Sequence, residues 1–391
     1  VSAAPPSSRE FSSDDSTQTV DIGALQQQSV KIFGDSVNTS NPNAPFYYPG
    51  RYDEDFPAVY TAPSQKEADV NPSVKPLWED LQLLKNSGTV IGPVLYDFSV
   101  RAKIIYCYDP AMFNSLAKWE RPSGIVSVTG IRDLGGFGVV VLTHETIHGL
   151  QVANGLISND LSMSIADYQA SLMGYEAGGM VGGYLLALEL REKGMTAAWD
   201  TLSVHTPKKC AEMLLVWEGL RKSGVPYREA LLKTGETAFY HQFYERDFLD
   251  AYNANIFSRY LNWIVDGDLP RPSGKTYTIN DARKTGYISP DFNFTANIDE
   301  SPRDMDLFGG NQKMEQTFAW LELERLAFLN GRSDASYLAL EQKMRAAKNP
   351  YLGLDPVAVW NAYIDFRLSR DLTDIMDGLV RGDLPDIHPQ K

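Results

Sequence analysis

Val139-Val140-Val141-Leu142-Thr143-His144-Glu145-Thr146-Ile147-His148-Gly149 decides how this chain is read. The whole protein holds only five histidines, and two of them stand four apart here, with a glutamate directly after the first. Residues four apart share one face of an α-helix, so both imidazoles address the same point in space. Histidines at that spacing are placed to ligate one metal ion. Glu145 lies about 100° round such a helix from His144, beside the ion rather than on it. From there a carboxylate can take the proton of a water held by the metal. The apolar run Val139–Leu142 suits a helix buried on one side, and Gly149 lets another element approach closely. Helix is predicted from Val139 to Ala153, with Asn154-Gly155 as its C-terminal stop.

Upstream, Thr89–Phe98, Ala102–Tyr108 and Gly124–Gly130 are rich in Val, Ile and Tyr and are predicted as strands. The stretch from Asp133 to Gly138 is turn-prone. Leu77–Leu84 reads as a short helix with Leu77, Leu81 and Leu84 on one face. Residues 1–20 are rich in Ser, Ala, Pro and Asp and read as flexible, and the remainder up to residue 75 reads as irregular backbone with turns. Downstream of Leu161 the pattern becomes helical: Ser164–Lys193, Pro207–Lys222, Tyr227–Leu232, and one long aromatic-rich helix over Glu236–Val265. After a long loop over 267–310 come Lys313–Leu329, Ala335–Lys348 and Pro356–Gly378. The expected fold class is α+β, a small β-sheet preceding the histidine helix and then a predominantly α-helical C-terminal part. Three regions follow: an irregular extension over 1–75, a metal-binding catalytic region over 76–195, and a mainly helical region over 196–391 packing on it.

The chain has 391 residues, 43% of them hydrophobic and 22% charged, enough to bury a sizeable core. Its formal charge is −14 and its pI about 4.9, which argues against nucleic acid or an anionic membrane as the main partner. Two cysteines, Cys107 and Cys210, make no disulfide framework, and whether they pair is left open. No apolar run is long enough to span a bilayer. The opening Val1-Ser2-Ala3-Ala4-Pro5-Pro6-Ser7-Ser8 suits the region after a cleaved export signal, so the expectation leans toward an exported protein.

Catalytic zinc takes three protein ligands and keeps a position for water, whereas structural zinc takes four and is commonly cysteine-rich. Neither cysteine lies near the motif in sequence, so a third ligand must be His, Asp or Glu. The metzincin pattern would need Gly at position 151 and His or Asp at 154, where this chain has Gln151 and Asn154. A glutamate from a later helix remains, with Asp160, Asp167, Glu176, Glu189 and Glu192 as candidates. Glu176 is preferred: it sits in Leu172-Met173-Gly174-Tyr175-Glu176-Ala177-Gly178-Gly179, where a lone carboxylate among small and apolar residues is costly to bury without a cation. Asp167 is the runner-up, against the alternative of a capping aspartate. Glu189 and Glu192, beside Arg191 and Lys193, read as an ordinary charged helix end.

His144-Glu145-Thr146-Ile147-His148 with Gln151 three residues on, followed by Tyr175-Glu176-Ala177, resembles bacterial metallopeptidases of the gluzincin type over roughly residues 100–195. The resemblance implies one zinc ion bound by His144, His148 and Glu176, with Glu145 as general base. It implies a hydrolase acting on peptide or protein substrates. The third-ligand element departs from the N-E-x-x-S-D form of the thermolysin-like families. In zincins the strand beside the metal helix commonly aligns substrate, which points to Gly124–Gly130 as the cleft edge, with an internal strand as the alternative. A donor for the developing oxyanion is sought among Tyr168, His205, Tyr240, His241, Tyr244 and Arg246, with Tyr240–Tyr244 the most suggestive cluster and core packing its bland reading. His388 reads as solvated. A catalytically silent metal-binding or scaffold protein, or a zymogen blocked by its N-terminal segment, is the alternative to a peptidase.

Overall fold

The computed structural model describes residues 58–60, 74–109, 117–120, 124–129, 136–156 and 161–368. Most of the expected N-terminal extension, the turn-prone stretch up to Gly136, Asp160, His388 and the end of the last predicted helix lie outside them. Helix α1, Lys75–Asn86, buries Leu77, Leu81 and Leu84 on one side and carries proline in its first turn.

The next segment corrects the expectation of a strand over Thr89–Phe98. Gly92–Arg101 is a helix, α2, with Pro93 in its first turn and Leu95, Phe98 and Ser99 buried. A residue without an N–H disrupts a central strand but suits a helix start. The helix is also capped from afar: Glu189 accepts hydrogen bonds from the backbone N–H of Val90 at 2.8 Å and of Ile91 at 3.1 Å. No local pattern announces a cap supplied about a hundred residues later.

Strands β1 (Ala58–Tyr60), β2 (Ile105–Asp109), β3 (Ala117–Glu120) and β4 (Ile125–Thr129) form one sheet in the order β1-β2-β4-β3. β2 runs parallel to β4, in register from Ile105 opposite Ile125 to Asp109 opposite Thr129, and the two outer pairs are antiparallel. β4 is therefore paired on both sides, so the segment proposed as cleft edge is internal, and the edge on that side is β3.

The histidine helix α3 spans Phe137–Ala153 and packs against α4, Ile165–Glu192. The 28-residue α4 carries Gly174, Gly178, Gly179, Gly182 and Gly183, although each glycine costs a helix about 1 kcal/mol relative to alanine. Contact with α3 explains four of them, two through apolar side chains. A Cβ on Gly182 would stand 2.1 Å from Ile147 Cδ1, and one on Gly183 would stand 3.1 Å from Val140 Cγ1. The sheet is tied to α3 by the Tyr106 hydroxyl, 2.8 Å from Thr146 Oγ1 and 2.7 Å from Ser99 Oγ on α2. On the other side of α3, the Trp119 ring of β3 covers Gly149, where a Cβ would lie 2.8 Å from it.

Helices α5 (Ala197–His205), α6 (Pro207–Lys222), α7 (Tyr227–Gln242) and α8 (Arg246–Asp266) follow. The single long helix expected over Glu236–Val265 is broken at Phe243–Glu245. Phe243 is buried between Phe239 and Phe248, with ring centroids 5.2 and 6.1 Å away, and that packing turns the chain without glycine or proline. The expected loop over 267–310 also contains structure: a helical turn α9 (Ile279–Ala282) with a capping box, a hairpin of β5 (Tyr287–Ser289) and β6 (Phe292–Asn293), and a 3-10 turn at Pro302–Asp304. Helices α10 (Gln312–Asn330), α11 (Ala335–Ala346) and α12 (Pro356–Leu368) complete the described chain. The protein is α+β with helix predominating, and one cluster of buried apolar residues runs from Val74 to Tyr363. No helix among the described residues is long and apolar enough to cross a membrane.

Candidate metal centre

On α3, His144 and His148 point toward α4 because Gly179 has no side chain opposite them. A Cβ there would stand 2.9 Å from His148 Cε1 and 3.1 Å from His144 Cε1. One turn earlier on α4, Glu176 reaches the same point. His144 Nε2 and His148 Nε2 lie 2.9 Å apart, and each lies 3.4 Å from Glu176 Oε2. Ligand atoms placed tetrahedrally at about 2.0–2.1 Å from a zinc ion are about 3.3–3.4 Å apart. Both histidine–glutamate separations match that spacing, and the histidine pair is slightly narrower. This trio is the group among the described residues whose donor atoms converge closely enough to hold a metal ion. Its donor set, two imidazoles and a carboxylate, fits a catalytic divalent site rather than a cysteine-rich structural one. Both cysteines are free and buried, and neither joins it.

Within the trio, the proximity of opposite charges outweighs burial. Burial acts to raise the carboxyl pKa of Glu176, but His148 and His144 overcome it and hold the group well below the usual range. Burial acts to lower the His144 pKa, and Glu176 and Glu145 reverse it, so the imidazole is held above its ordinary value. Glu145 is 7% exposed, with Oε1 3.9 Å from His144 Nε2, so it is beside the trio and outside it.

Further side chains surround the trio. Gln151 Oε1 lies 2.8 Å from His148 Nδ1, while its Nε2 donates to the carbonyls of Tyr175 at 3.0 Å and Thr285 at 2.7 Å. The Tyr175 ring stacks on the His148 ring at 4.0 Å with only 3° between planes. Tyr252, from α8, donates its hydroxyl to Glu176 Oε2 at 2.7 Å. Burial, then the neighbouring Glu176, push this phenol well above its ordinary pKa of about 10, so it is a neutral donor.

The remaining sequence candidates are engaged elsewhere. Asp167 accepts from Ser164 Oγ at 2.5 Å, Tyr277 N at 2.9 Å and Arg303 Nη1 at 2.9 Å, as part of the cap of α4. Glu189 is fully buried as the cap of α2 rather than sitting at a charged helix end. Glu192 pairs with Arg191 at 2.7 Å. Tyr240 holds Asp299 through a 2.7 Å hydrogen bond, and His241 lies 3.4 Å from Glu212. Arg246 bonds to Asp250 and to the carbonyls of Phe308 and Gly309. Tyr168 packs edge-on against Tyr260, and His205 edge-on against Phe137. Tyr244 is exposed. The hydroxyl that reaches the trio is that of Tyr252, which sequence reading missed: it is 76 positions from Glu176, in a helix whose aromatic stripe resembles any core stripe. Gln151 carried a signal, three residues after His148 on the same helix.

No protein-family model, curated protein or solved structure matches the chain.

Proposed function

We propose that the protein is a zinc-dependent hydrolase of peptide bonds, in which His144, His148 and Glu176 hold one zinc ion and Glu145 is the general base. The observation that carries this reading is the convergence of three donors from two helices, with a second carboxylate beside them and outside their set. A zinc ion bound there supplies a Lewis acid and a water acidified to near neutrality. Glu145 stands where it accepts the proton of the attacking water and returns it to the leaving amine. Tyr252 is a neutral hydroxyl whose one hydrogen goes to Glu176 Oε2, and it would serve a developing oxyanion by turning that hydrogen away from the carboxylate once Glu176 holds the ion. An extended substrate would add to β3, the outer strand beside β4 among the described residues, whose Trp119 sits on the metal helix at Gly149. A silent site closed by a fourth protein ligand is the competing reading.

The test is zinc content per chain by elemental mass spectrometry, followed by hydrolysis of a peptide library. We expect about one zinc in wild type, Asp167→Ala and Glu145→Gln, and none in Glu176→Ala. Turnover is expected in wild type, with Glu145→Gln at least a thousandfold slower. Wild type without zinc, even after zinc is added back, overturns the metal reading. Full turnover in Glu145→Gln overturns the role given to that carboxylate.

A further inference from the structure

The amide of Gln151 has one orientation open to it. Both of its hydrogens are taken by the carbonyls of Tyr175 and Thr285. Turning it over would set its oxygen against two carbonyl oxygens and its NH2 against the imidazole. Oε1 therefore faces His148 Nδ1 at 2.8 Å and can only accept, so Nδ1 carries a proton and Nε2 is the nitrogen that faces Glu176 and His144. Gln151 is fully buried, and so is Thr285. Space for this arrangement comes from Gly178: a Cβ there would stand 2.5 Å from Thr285 O and 2.7 Å from Gln151 Nε2. The paired glycines of α4 thus clear two different things, Gly179 the ligand rings and Gly178 the amide behind them. Thr285 is itself fixed, since its hydroxyl donates to Ala282 O at 2.7 Å at the end of α9.

We propose that Gln151, seated over Gly178 and gripped by the carbonyls of Tyr175 and Thr285, is the positioning residue that fixes the tautomer and heading of His148 for metal binding. The proposal rests on the reading of His144, His148 and Glu176 as a metal site. Groups that orient a ligating histidine through its other ring nitrogen typically matter by about 10- to 100-fold in metal affinity.

The experiment measures zinc affinity by chelator competition for wild type, Gln151→Met and Gln151→Glu, with far-UV circular dichroism on each. Methionine keeps the volume and loses the acceptor; glutamate keeps the acceptor and loses both donated hydrogen bonds. Positioning predicts the order wild type, then Gln151→Glu, then Gln151→Met, with the last at least tenfold weaker than wild type. A packing role predicts the reverse order for the two variants, because a buried carboxylate against two carbonyls perturbs the fold more than methionine does. Equal affinity in wild type and Gln151→Met, or methionine binding as well as glutamate, overturns the proposal. Should a variant fail to fold, 15N-histidine spectra of zinc-loaded wild type decide: His148 must show a protonated Nδ1 and a ligated Nε2, and the opposite pattern refutes the role. Wild type that binds no zinc refutes the metal site itself, a separate outcome.

Discussion

Tyr252 and Gly179 show how much of this centre depends on single atoms. The Tyr252 hydroxyl touches Oε2 of Glu176 while remaining protonated, because burial and that carboxylate both disfavour its anion. Removing the hydroxyl leaves the ring packed on Phe248, 4.8 Å away, so Tyr252→Phe isolates the hydrogen bond from the packing. We expect that variant to keep its zinc and to lose about 10²- to 10³-fold in kcat, the usual cost of an oxyanion donor. Unchanged kcat would leave the hydroxyl with a purely structural task. At Gly179 the argument is spatial. Alanine there improves helix propensity by about 1 kcal/mol, yet its methyl meets both ligand imidazoles. Gly179→Ala is expected to weaken zinc binding at least tenfold in the same chelator competition, and equal affinity would show that the rings can shift at no cost.

Among the elements, α2 carries the clearest lesson. It is held by Glu189, a fully buried carboxylate that accepts two backbone N–H groups and lies 3.3 Å from the Tyr227 hydroxyl. Burial outweighs those hydrogen bonds and raises its pKa above the usual carboxylate range. The folded state therefore holds this proton more tightly than the unfolded chain does. Stability owed to the group is fully present below the unfolded pKa of about 4.3 and is lost as pH rises through the higher folded value. Urea denaturation of wild type and Glu189→Gln between pH 4 and 7 should give a difference curve in which wild type loses ground as pH rises. Parallel curves would contradict it. The same element marks the limit of what sequence reading reaches. Helix α1, with one apolar face, and α3 and α4, apolar and buried nearly all round, were legible, and so were the two histidines and the lone Glu176 among glycines. The helical state of Gly92–Arg101, the break at Phe243–Glu245 and the hairpin at Tyr287–Asn293 were not. The first two are decided by packing that periodicity does not announce: distant Glu189 for α2, and the local edge-on contacts of Phe243 with Phe239 and Phe248 for the break.

Across the whole molecule, the trio gathers chain segments far apart in sequence. α3 supplies the histidines, α4 the glutamate, α8 the tyrosine and the segment after α9 the carbonyl that grips Gln151. An ion binding only the folded arrangement stabilises it by about 4 kcal/mol at a thousand times its dissociation constant. Thermal unfolding is therefore expected to move down by several degrees in excess chelator and to return when zinc is restored. A melting temperature indifferent to chelator would mean that the centre forms no part of the protein's cohesion. A last consequence concerns β1. Ala58–Tyr60 pairs with Ile105–Cys107 and screens the flank of the sheet opposite β3. A chain cut back past residue 60 would strip β2 of this outer neighbour and bare a row of backbone amides ready to recruit another chain, so such a truncation should self-associate.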